Sequence, residues 1–490
     1  MNLRIWSRRI GFFMLFPAAL AGWEASAQPI GGSIELRNDT PTYEEIGLRA
    51  VTASGTIVLA SSAADEREPK ISILANGSTA VFWVNRSGSH HVGGVDASGN
   101  RLLPVFDMAI DIDVLVGVNT GSNTNWTLNK ANPDGNIFMA AATFAAGPLT
   151  GSEAVIPGTV IDADGIQEDN QQGHGFFRLF NDQLEPLTPP LSVAEFSAGH
   201  REWDACWLND GKLVIGTAAQ GHRYEADPDW PQGGNQVATL NLFNPDGSRY
   251  KEEFFLDDMT GQQGNVWLGA LKNGFVCVYQ DDDSRVGGAN LFKGIIFNLE
   301  GEKKQEFVVT DEILQIHPAW MAAGGGGSFV TVYEVTAPDG IGLPEELINM
   351  PVVLAQLWSD QGERIGPYIL VSQHSDGRSV SRTRCAMARN GTFVVSWIDN
   401  AADDVQFTES VVGRVFNVDG MPATPAFVVH PLPEFPETDG GNASESMPAA
   451  VNGGVAFTWA SRAVPGGGAR DIALMVFGNP GTMLTAWELY

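Results

Sequence analysis

Residues 385–397 read Cys-Ala-Met-Ala-Arg-Asn-Gly-Thr-Phe-Val-Val-Ser-Trp, in which an Asn-Gly pair separates two apolar runs. Residues 71–83 have the same form, Ile-Ser-Ile-Leu-Ala-Asn-Gly-Ser-Thr-Ala-Val-Phe-Trp. Both residues of an Asn-Gly pair tolerate positive φ, so the pattern predicts a β-hairpin with a tight turn. Five further turns of this kind, which bring the total to seven, lie at Asp134-Gly135, Asp210-Gly211, Asn273-Gly274, Gly327 and Asn452-Gly453.

A second type of hairpin alternates with the first. Its clearest turns read Phe-Asn-x-Asp/Glu-Gly, at residues 243–247, 297–301 and 416–420, and a looser copy at residues 51–59 precedes the first hairpin of the other type. Two hairpins per repeat give four short strands, which is typical of a β-propeller blade. The chain is therefore predicted to be all-β, a single propeller of seven four-stranded blades, with an eight-bladed ring as the alternative. The copy at residues 51–59 predicts that the ring closes by pairing N-terminal with C-terminal strands.

The units Phe-Asn-x-Asp-Gly and Gly-x-Phe-Val-Val-x-Trp resemble the repeats of exported bacterial β-propeller proteins over nearly all of residues 28–490. His200, His222, Arg223 and Tyr224, together with the propeller architecture, are also similar to the residue types that propeller polysaccharide lyases use. The resemblance implies a blade and leaves the function open. A pair of β-sandwiches or a β-helix is disfavoured, because neither alternates two hairpin types along a whole chain.

The first 27 residues have the features of a signal peptide. Basic residues are followed by an apolar stretch at residues 10–23 and by the small-residue cleavage site Ala25-Ser26-Ala27. Residues 28–490 would then form the mature propeller domain, secreted or periplasmic. No later segment approaches 18 consecutive apolar residues, so membrane insertion is not expected.

Composition limits the partners. The 490 residues include 58 Asp and Glu against 29 Lys and Arg, a net charge of −29, and 43% are hydrophobic, enough for a sizeable core. Such an acidic chain is a poor partner for nucleic acid. The expected partner is a small-molecule or polysaccharide ligand, bound by a monomer. Acidic runs at residues 162–169, 225–229, 281–283 and 403–404 make Ca²⁺ the candidate cofactor, with solvated acidic loops as the alternative.

The three cysteines lie in apolar, strand-like runs. An exported chain would permit one disulfide, but buried free thiols suit these surroundings better. The residues are Cys206, Cys277 and Cys385.

Strand order within a blade divides the loops between two faces. With the strands named a to d, the a–b and c–d turns lie on one face, and the longer b–c and d–a loops lie on the other. We assign all eight histidines to the long loops, where binding and catalysis are usually placed. Two or three converging imidazoles could hold copper or zinc, although no metal-binding spacing is present.

The densest group of candidate catalytic residues belongs to the third repeat. His200 enters strand a, while His222, Arg223 and Tyr224 follow strand b. The hairpin between them predicts that the two histidines lie close together. An imidazole can take a proton, a tyrosine can return one, and an arginine can neutralise a carboxylate. These are the groups that β-elimination from a uronic acid requires.

Three further residues are candidates for ligand binding. Trp203, Trp230 and His317 lie in or beside the long loops, where indole rings could stack on sugars. Three tryptophans at the ends of b strands, Trp83, Trp397 and Trp459, are expected instead to pack between blades. Three functions therefore remain open: a binding module without chemistry, a polysaccharide lyase, and a metal-dependent enzyme.

Overall fold

The computed structural model shows a β-propeller. It describes residues 40–48, 50, 57–60, 66–85, 90–107, 127–145, 155–156, 159–160, 173–189, 191–194, 197–198, 201–219, 221–222, 237–256, 262–282, 291–310, 318–372, 379–400, 409–429, 443–451, 454–461 and 471–478. Within them, seven four-stranded antiparallel sheets form the blades. The prediction of an all-β, seven-bladed ring is confirmed, and the eight-bladed alternative is wrong. The predicted signal peptide at residues 1–27 lies outside the described residues.

Blades 1 to 3 occupy the N-terminal half of the chain. The strands of blade 1 are β2 (Glu66–Ile73), β3 (Thr79–Asn85), β4 (His90–Val95) and β5 (Arg101–Asp107). The strands of blade 2 are β6 (Thr127–Ala131), β7 (Ile137–Ala145), β10 (Gly173–Asn181) and β11 (Leu191–Ser192). The strands of blade 3 are β13 (Arg201–Trp207), β14 (Leu213–Ala219), β16 (Val237–Phe243) and β17 (Arg249–Phe255).

Blades 4 to 6 follow in the same a-to-d order. The strands of blade 4 are β18 (Gln262–Leu271), β19 (Gly274–Asp282), β20 (Leu291–Asn298) and β21 (Lys303–Val308). The strands of blade 5 are β22 (Trp320–Ala323), β23 (Ser328–Thr336), β24 (Pro351–Ser359) and β25 (Arg364–Leu370), with a 3₁₀ turn at Glu345–Leu347. The strands of blade 6 are β26 (Ser379–Met387), β27 (Phe393–Asn400), β28 (Glu409–Phe416) and β29 (Phe427–Val428).

Blade 7 closes the ring. It combines β30 (Ala443–Val451), β31 (Gly454–Ser461) and β32 (Asp471–Gly478) with the N-terminal strand β1 (Ile57–Ala60). Ile57 pairs with Leu474, as the copy of the second hairpin near the N-terminus predicted. Ahead of β1, Tyr43 packs in the core between blades 6 and 7, with its ring 5.2 Å from that of Phe477.

Two short ribbons lie outside the blades. The first pairs β8 (Val155–Ile156) with β9 (Thr159–Val160), and the second pairs β12 (Ser197–Ala198) with β15 (Gly221–His222). Among the described residues, no helix is long and apolar enough to cross a membrane.

The apolar core lies between neighbouring blades. The strands β14 and β16 are buried along their whole length, whereas the outermost strand β21 is mostly exposed. Val214 and Leu240 of blade 3, for example, pack with Phe275 of blade 4. The innermost strands β2, β6, β13, β18, β22, β26 and β30 contact one another in turn, and β30 returns to β2. This inner ring defines the central channel.

Candidate functional site

The central channel encloses a cavity of 790 Å³. Each inner strand contributes side chains to its wall. One representative from each blade, in order around the ring, is Lys70, Lys130, Trp203, Trp267, Trp320, Arg384 and Ser446. The cavity reaches from the start of the a strands to the a–b turns, where Asp134 and Arg389 line it. Its volume lies in the range of roughly 300–1,000 Å³ that is usual for small-molecule sites.

The same irregularity interrupts five of the inner strands. In each, the pairing with strand b shifts by one residue, which is the signature of a β-bulge. In three of these bulges the first bulge residue, which is not a glycine, has a positive φ. The values are 50° at Glu68, 46° at Asn265 and 54° at Arg382. All three line the cavity. Non-glycine residues in this conformation cost of order 1–3 kcal/mol each and cluster at functional sites, so the bulges mark the channel as the candidate site.

A bulky residue of strand b lies opposite most of the bulges. Trp83, Tyr279, Trp397 and Trp459 each face two residues of strand a. All four are buried. Trp83, Trp397 and Trp459 belong to apolar clusters that join neighbouring blades, which confirms the prediction that these tryptophans pack between blades.

The cavity differs in charge from the rest of the chain. Its described lining contains three acidic residues, Glu68, Asp134 and Asp204. It contains five basic residues, Lys70, Lys130, Arg382, Arg384 and Arg389. The described lining is therefore net positive, in a chain whose net charge is −29. Such a local reversal concentrates anions in the channel.

Lys130 is held by a buried carboxylate. Asp204 is fully buried, and its Oδ1 lies 3.0 Å from Lys130 Nζ. Its Oδ2 accepts a hydrogen bond of 3.0 Å from the backbone N–H of Leu268. One side chain therefore joins blades 2, 3 and 4, and the charge of Lys130 is already balanced within the protein.

Arg384 has different surroundings. Its guanidinium lies 4.4 Å from the ring centre of Trp320, and Nη1 donates to the carbonyl oxygen of Thr383 at 2.9 Å. Burial lowers the pKa of Arg384, an effect opposed by the nearby carboxylate of Glu334, which accepts a hydrogen bond from Thr383 N–H. Because arginine titrates so far above neutrality, it remains cationic here.

Trp320 and Trp267 form a corner of two indoles beside this arginine. Their ring centres are 6.0 Å apart, with planes inclined at 51°. Trp267 is held from behind by Phe292, stacked at 5.3 Å. The wall shared by blades 4, 5 and 6 thus combines a guanidinium with flat aromatic surfaces.

The predicted site residues are only partly described. Trp203 lines the cavity and is 5% exposed. His222 lies in β15, where its backbone pairs with Ser197, and nothing further is described of its side chain. The other predicted residues lie outside the described part of the chain: His200, Arg223, Tyr224, Trp230 and His317.

The assignment of all eight histidines to loops is wrong for four of them. His90 and His91 belong to β4, His174 to β10 and His222 to β15, because the ladders extend further than the sequence suggested. His91 lies opposite Trp83 and stacks on it at 5.6 Å, a cross-strand pair that extends the strand.

Metal ligands are not assembled in the described residues, where no three His, Cys, Asp or Glu side chains lie together. Most of the acidic runs proposed for Ca²⁺ lie outside those residues. Asp281 is described, and its carboxylate is paired with Lys293.

All three cysteines are free and buried, as expected. Burial raises the pKa of each thiol, for Cys206, Cys277 and Cys385 alike. The alternative with one disulfide is wrong.

The glycine run 324–327 forms the a–b turn of blade 5, and Gly324 and Gly325 line the cavity. Gly325 N donates to Ala270 O of blade 4 at 2.9 Å. A Cβ on Gly324 would lie 2.1 Å from Ala388 O of blade 6, so glycine permits this close approach of blades 5 and 6.

Sequence reasoning missed the bulges and the basic channel lining. One signal was present: a charged residue stands six positions before the a–b turn in three repeats, as Lys70, Asp204 and Arg384. Charges inside otherwise apolar inner strands are expensive unless they are paired or face a polar cavity.

No family model and no curated protein matches the chain. Several solved structures are similar to it at low sequence identity. An ulvan lyase bound to -[GlcA(1-4)Rha3S]- is 10% identical, with a TM-score of 0.46 over 91% of this chain and 95% of that one. A protein of unknown function from Dyadobacter fermentans is 10% identical, with a TM-score of 0.43 over 88% and 99%. An α-L-arabinanase from Penicillium chrysogenum is 14% identical, with a TM-score of 0.39 over 72% and 93%. At such identities the likeness concerns the fold alone.

Proposed function

We propose that this protein binds an acidic carbohydrate in its central channel. The observation that carries the proposal is the positive lining of a cavity inside a strongly acidic chain, combined with tryptophans on the same wall. Guanidinium and ammonium groups recognise carboxylates and sulfates, and indole faces pack against the apolar face of a sugar ring.

The charge pattern also selects among ligands. The net charge of the chain, −29, repels polyanions in general. A concave cavity lined by cations still attracts an anionic group that is small enough to enter it. Neutral sugars would gain the stacking but not the ion pairing. The proposal therefore predicts a preference for acidic over neutral sugars that weakens as salt is added.

Titration calorimetry on the full chain tests this. The probes are trimers of D-galacturonate and D-glucuronate, a sulfated trisaccharide, and neutral galactotriose as the matched control. At least one acidic probe should bind, with a dissociation constant that rises with ionic strength, and galactotriose should bind at least about tenfold more weakly. Equal binding of galactotriose, or binding of none of the acidic probes, would refute the proposal.

A second candidate function is β-elimination by the residues of the third repeat. The ribbon of β12 and β15 supports it, because Ser197 pairs with His222 and β12 shortly precedes β13 in the chain, and Trp203 and Asp204 of β13 line the cavity. In this scheme His222 or His200 removes the proton beside the uronate carboxylate. Arg223 neutralises that carboxylate, and Tyr224 protonates the leaving oxygen.

Elimination leaves a carbon–carbon double bond that absorbs in the ultraviolet, which gives a direct assay. The acidic trimers should gain absorbance on incubation with the protein, and His222→Ala should abolish the gain while binding in calorimetry persists. Full activity in His222→Ala would remove that histidine from the scheme. Binding without any new absorbance would leave the protein as a binding module.

Export by a leader at residues 1–27 and a monomeric state belong to the same proposal. N-terminal sequencing of protein recovered outside the cytoplasm should begin at Gln28. Size-exclusion chromatography with light scattering should give the mass of one chain, and a dimer mass would contradict the monomer.

A further inference from the structure

Resting on the proposed function, we infer that the acidic group of the ligand binds to one wall of the channel, formed by Arg382 and Arg384 of blade 6 with Trp320 of blade 5. The five basic residues of the lining are not equivalent. Their surroundings divide them into residues that serve the fold and residues placed to meet an anion.

Lys130 serves the fold. Its ammonium lies 3.0 Å from Asp204, whose side chain is completely buried. An anionic ligand that drew Lys130 away would leave a buried carboxylate without its counter-charge, which is strongly unfavourable. The blade 2 side of the channel is therefore unsuited to anion binding.

Arg384 is arranged for recognition. The guanidinium lies over the ring of Trp320, and one of its nitrogens, Nη1, donates to Thr383 O. A guanidinium carries five N–H donors, and its contact with the indole ring uses none of them. This geometry suits a planar carboxylate that approaches edge-on.

Arg382 adds a second cation to the same wall. It is the first residue of the blade 6 bulge, with φ at 54°, and it is exposed in the cavity lining. The two arginines are two residues apart on the same inner strand, and both line the cavity. Glu334 and Glu68 supply carboxylates near Arg384, and Arg382 adds positive charge to this wall. An anion that enters the cavity meets two cations on this wall.

The adjacent indole corner orients the rest of the ligand. Trp320 and Trp267 meet at 51° next to Arg384. Trp267 is buried, so the half-buried Trp320 is the indole that a sugar ring would contact once its carboxylate meets the arginines. The acidic group then points to blade 6 and the ring to blade 5.

Matched charge-neutralising variants test the assignment. Arg384→Gln and Arg382→Gln alter the proposed wall. Arg364→Gln removes the same charge from the exposed, outermost strand of blade 5, away from the cavity lining. With D-galacturonate trimer as the probe, each wall variant should bind at least about tenfold more weakly, whereas Arg364→Gln should change the affinity by no more than about twofold.

Two further measurements separate the possible failures. The methyl ester of the trimer, which lacks the negative charge, should bind wild type and Arg384→Gln equally. Arg384→Lys keeps the charge but loses the planar fork, so its loss should be intermediate. Arg382→Gln alters an exposed side chain and covers the case in which variants at the partly buried Arg384 fail to fold.

The outcomes are distinct. If wild type binds the trimer and the wall variants lose no more affinity than Arg364→Gln, the inference is overturned while the proposed function stands. If wild type binds no acidic probe, the proposed function fails and the inference fails with it. If the sulfated trisaccharide binds instead of the galacturonate trimer, and Arg384→Gln weakens its binding by the same factor, the proposed wall stands and the anionic group is a sulfate.

Discussion

Replacement of Asp204 should destabilise the ring, because this carboxylate joins three blades. The side chain is fully buried in β13, and its two oxygens bind Lys130 of β6 and the backbone N–H of Leu268 in β18. Asp204→Asn keeps an oxygen that can accept from Leu268 but removes the charge. Asp204→Ala removes both interactions and leaves a small cavity.

The magnitude follows from the exposure of the partner. Loss of one member of a fully buried ion pair costs about 3–5 kcal/mol, because the other charge remains buried. Lys130 is 34% exposed, so water can solvate its ammonium once Asp204 is gone. We therefore expect a loss of about 2 kcal/mol for Asp204→Asn, well below the fully buried case. Asp204→Ala should cost about 1–2 kcal/mol more, because Leu268 N–H loses its acceptor.

Urea unfolding followed by tryptophan fluorescence measures these losses. A double-mutant cycle with Lys130→Met isolates the pairwise term, which should be about 1–2 kcal/mol. Asp210→Asn is the matched control, since Asp210 pairs with Lys212 at 2.5 Å in the exposed turn of the same blade and should contribute no more than about 1 kcal/mol. Equal destabilisation by Asp204→Asn and Asp210→Asn, or a coupling energy near zero, would refute the reasoning.

Two further predictions concern packing. Gly324→Ala should lower the stability by more than about 2 kcal/mol, because its Cβ would lie 2.1 Å from the backbone oxygen of Ala388. Gly327→Ala in the same run has nothing within 4 Å of its Cβ and should be close to neutral in the same unfolding assay; similar losses in both variants would contradict the steric explanation. The raised pKa of each buried thiol keeps it protonated at neutral pH, so Ellman's reagent should label no cysteine in the native protein and all three in concentrated guanidinium chloride. Rapid labelling of the native protein would show that the blades open.

The blade architecture was predictable because its signals are local. An Asn-Gly or Asp-Gly turn between apolar runs determines a hairpin with few alternatives, and Gly77, Gly135, Gly211 and Gly391 all have the positive φ that such turns require. The ring closure was predictable for the same reason, since the sequence of residues 51–59 repeats the pattern of the c–d hairpins and includes the strand Ile57–Ala60.

The channel site was not predictable in the same way. A bulge is a property of two paired strands, and the sequence around Glu68, Asn265 or Arg382 shows no break until its register with strand b is known. The sequence therefore assigns the chemistry to loops, whereas four of the five basic residues of the described lining lie in inner strands. The histidine assignment was wrong for a related reason, because the stacking of His91 on Trp83 depends on cross-strand pairing.

The closing strand has a kinetic consequence. Six blades are built from contiguous segments and can form as soon as each segment is available, but the partner of Ile57 is Leu474, almost at the other end of the chain. Completion of blade 7 is therefore the most non-local event in folding and is expected to be the slowest. Until it occurs, β32 presents an unpaired edge to any other copy of the chain. Refolding at high concentration would then exchange residues 57–60 between molecules, and the same strand that seals the monomer would link two rings into a dimer.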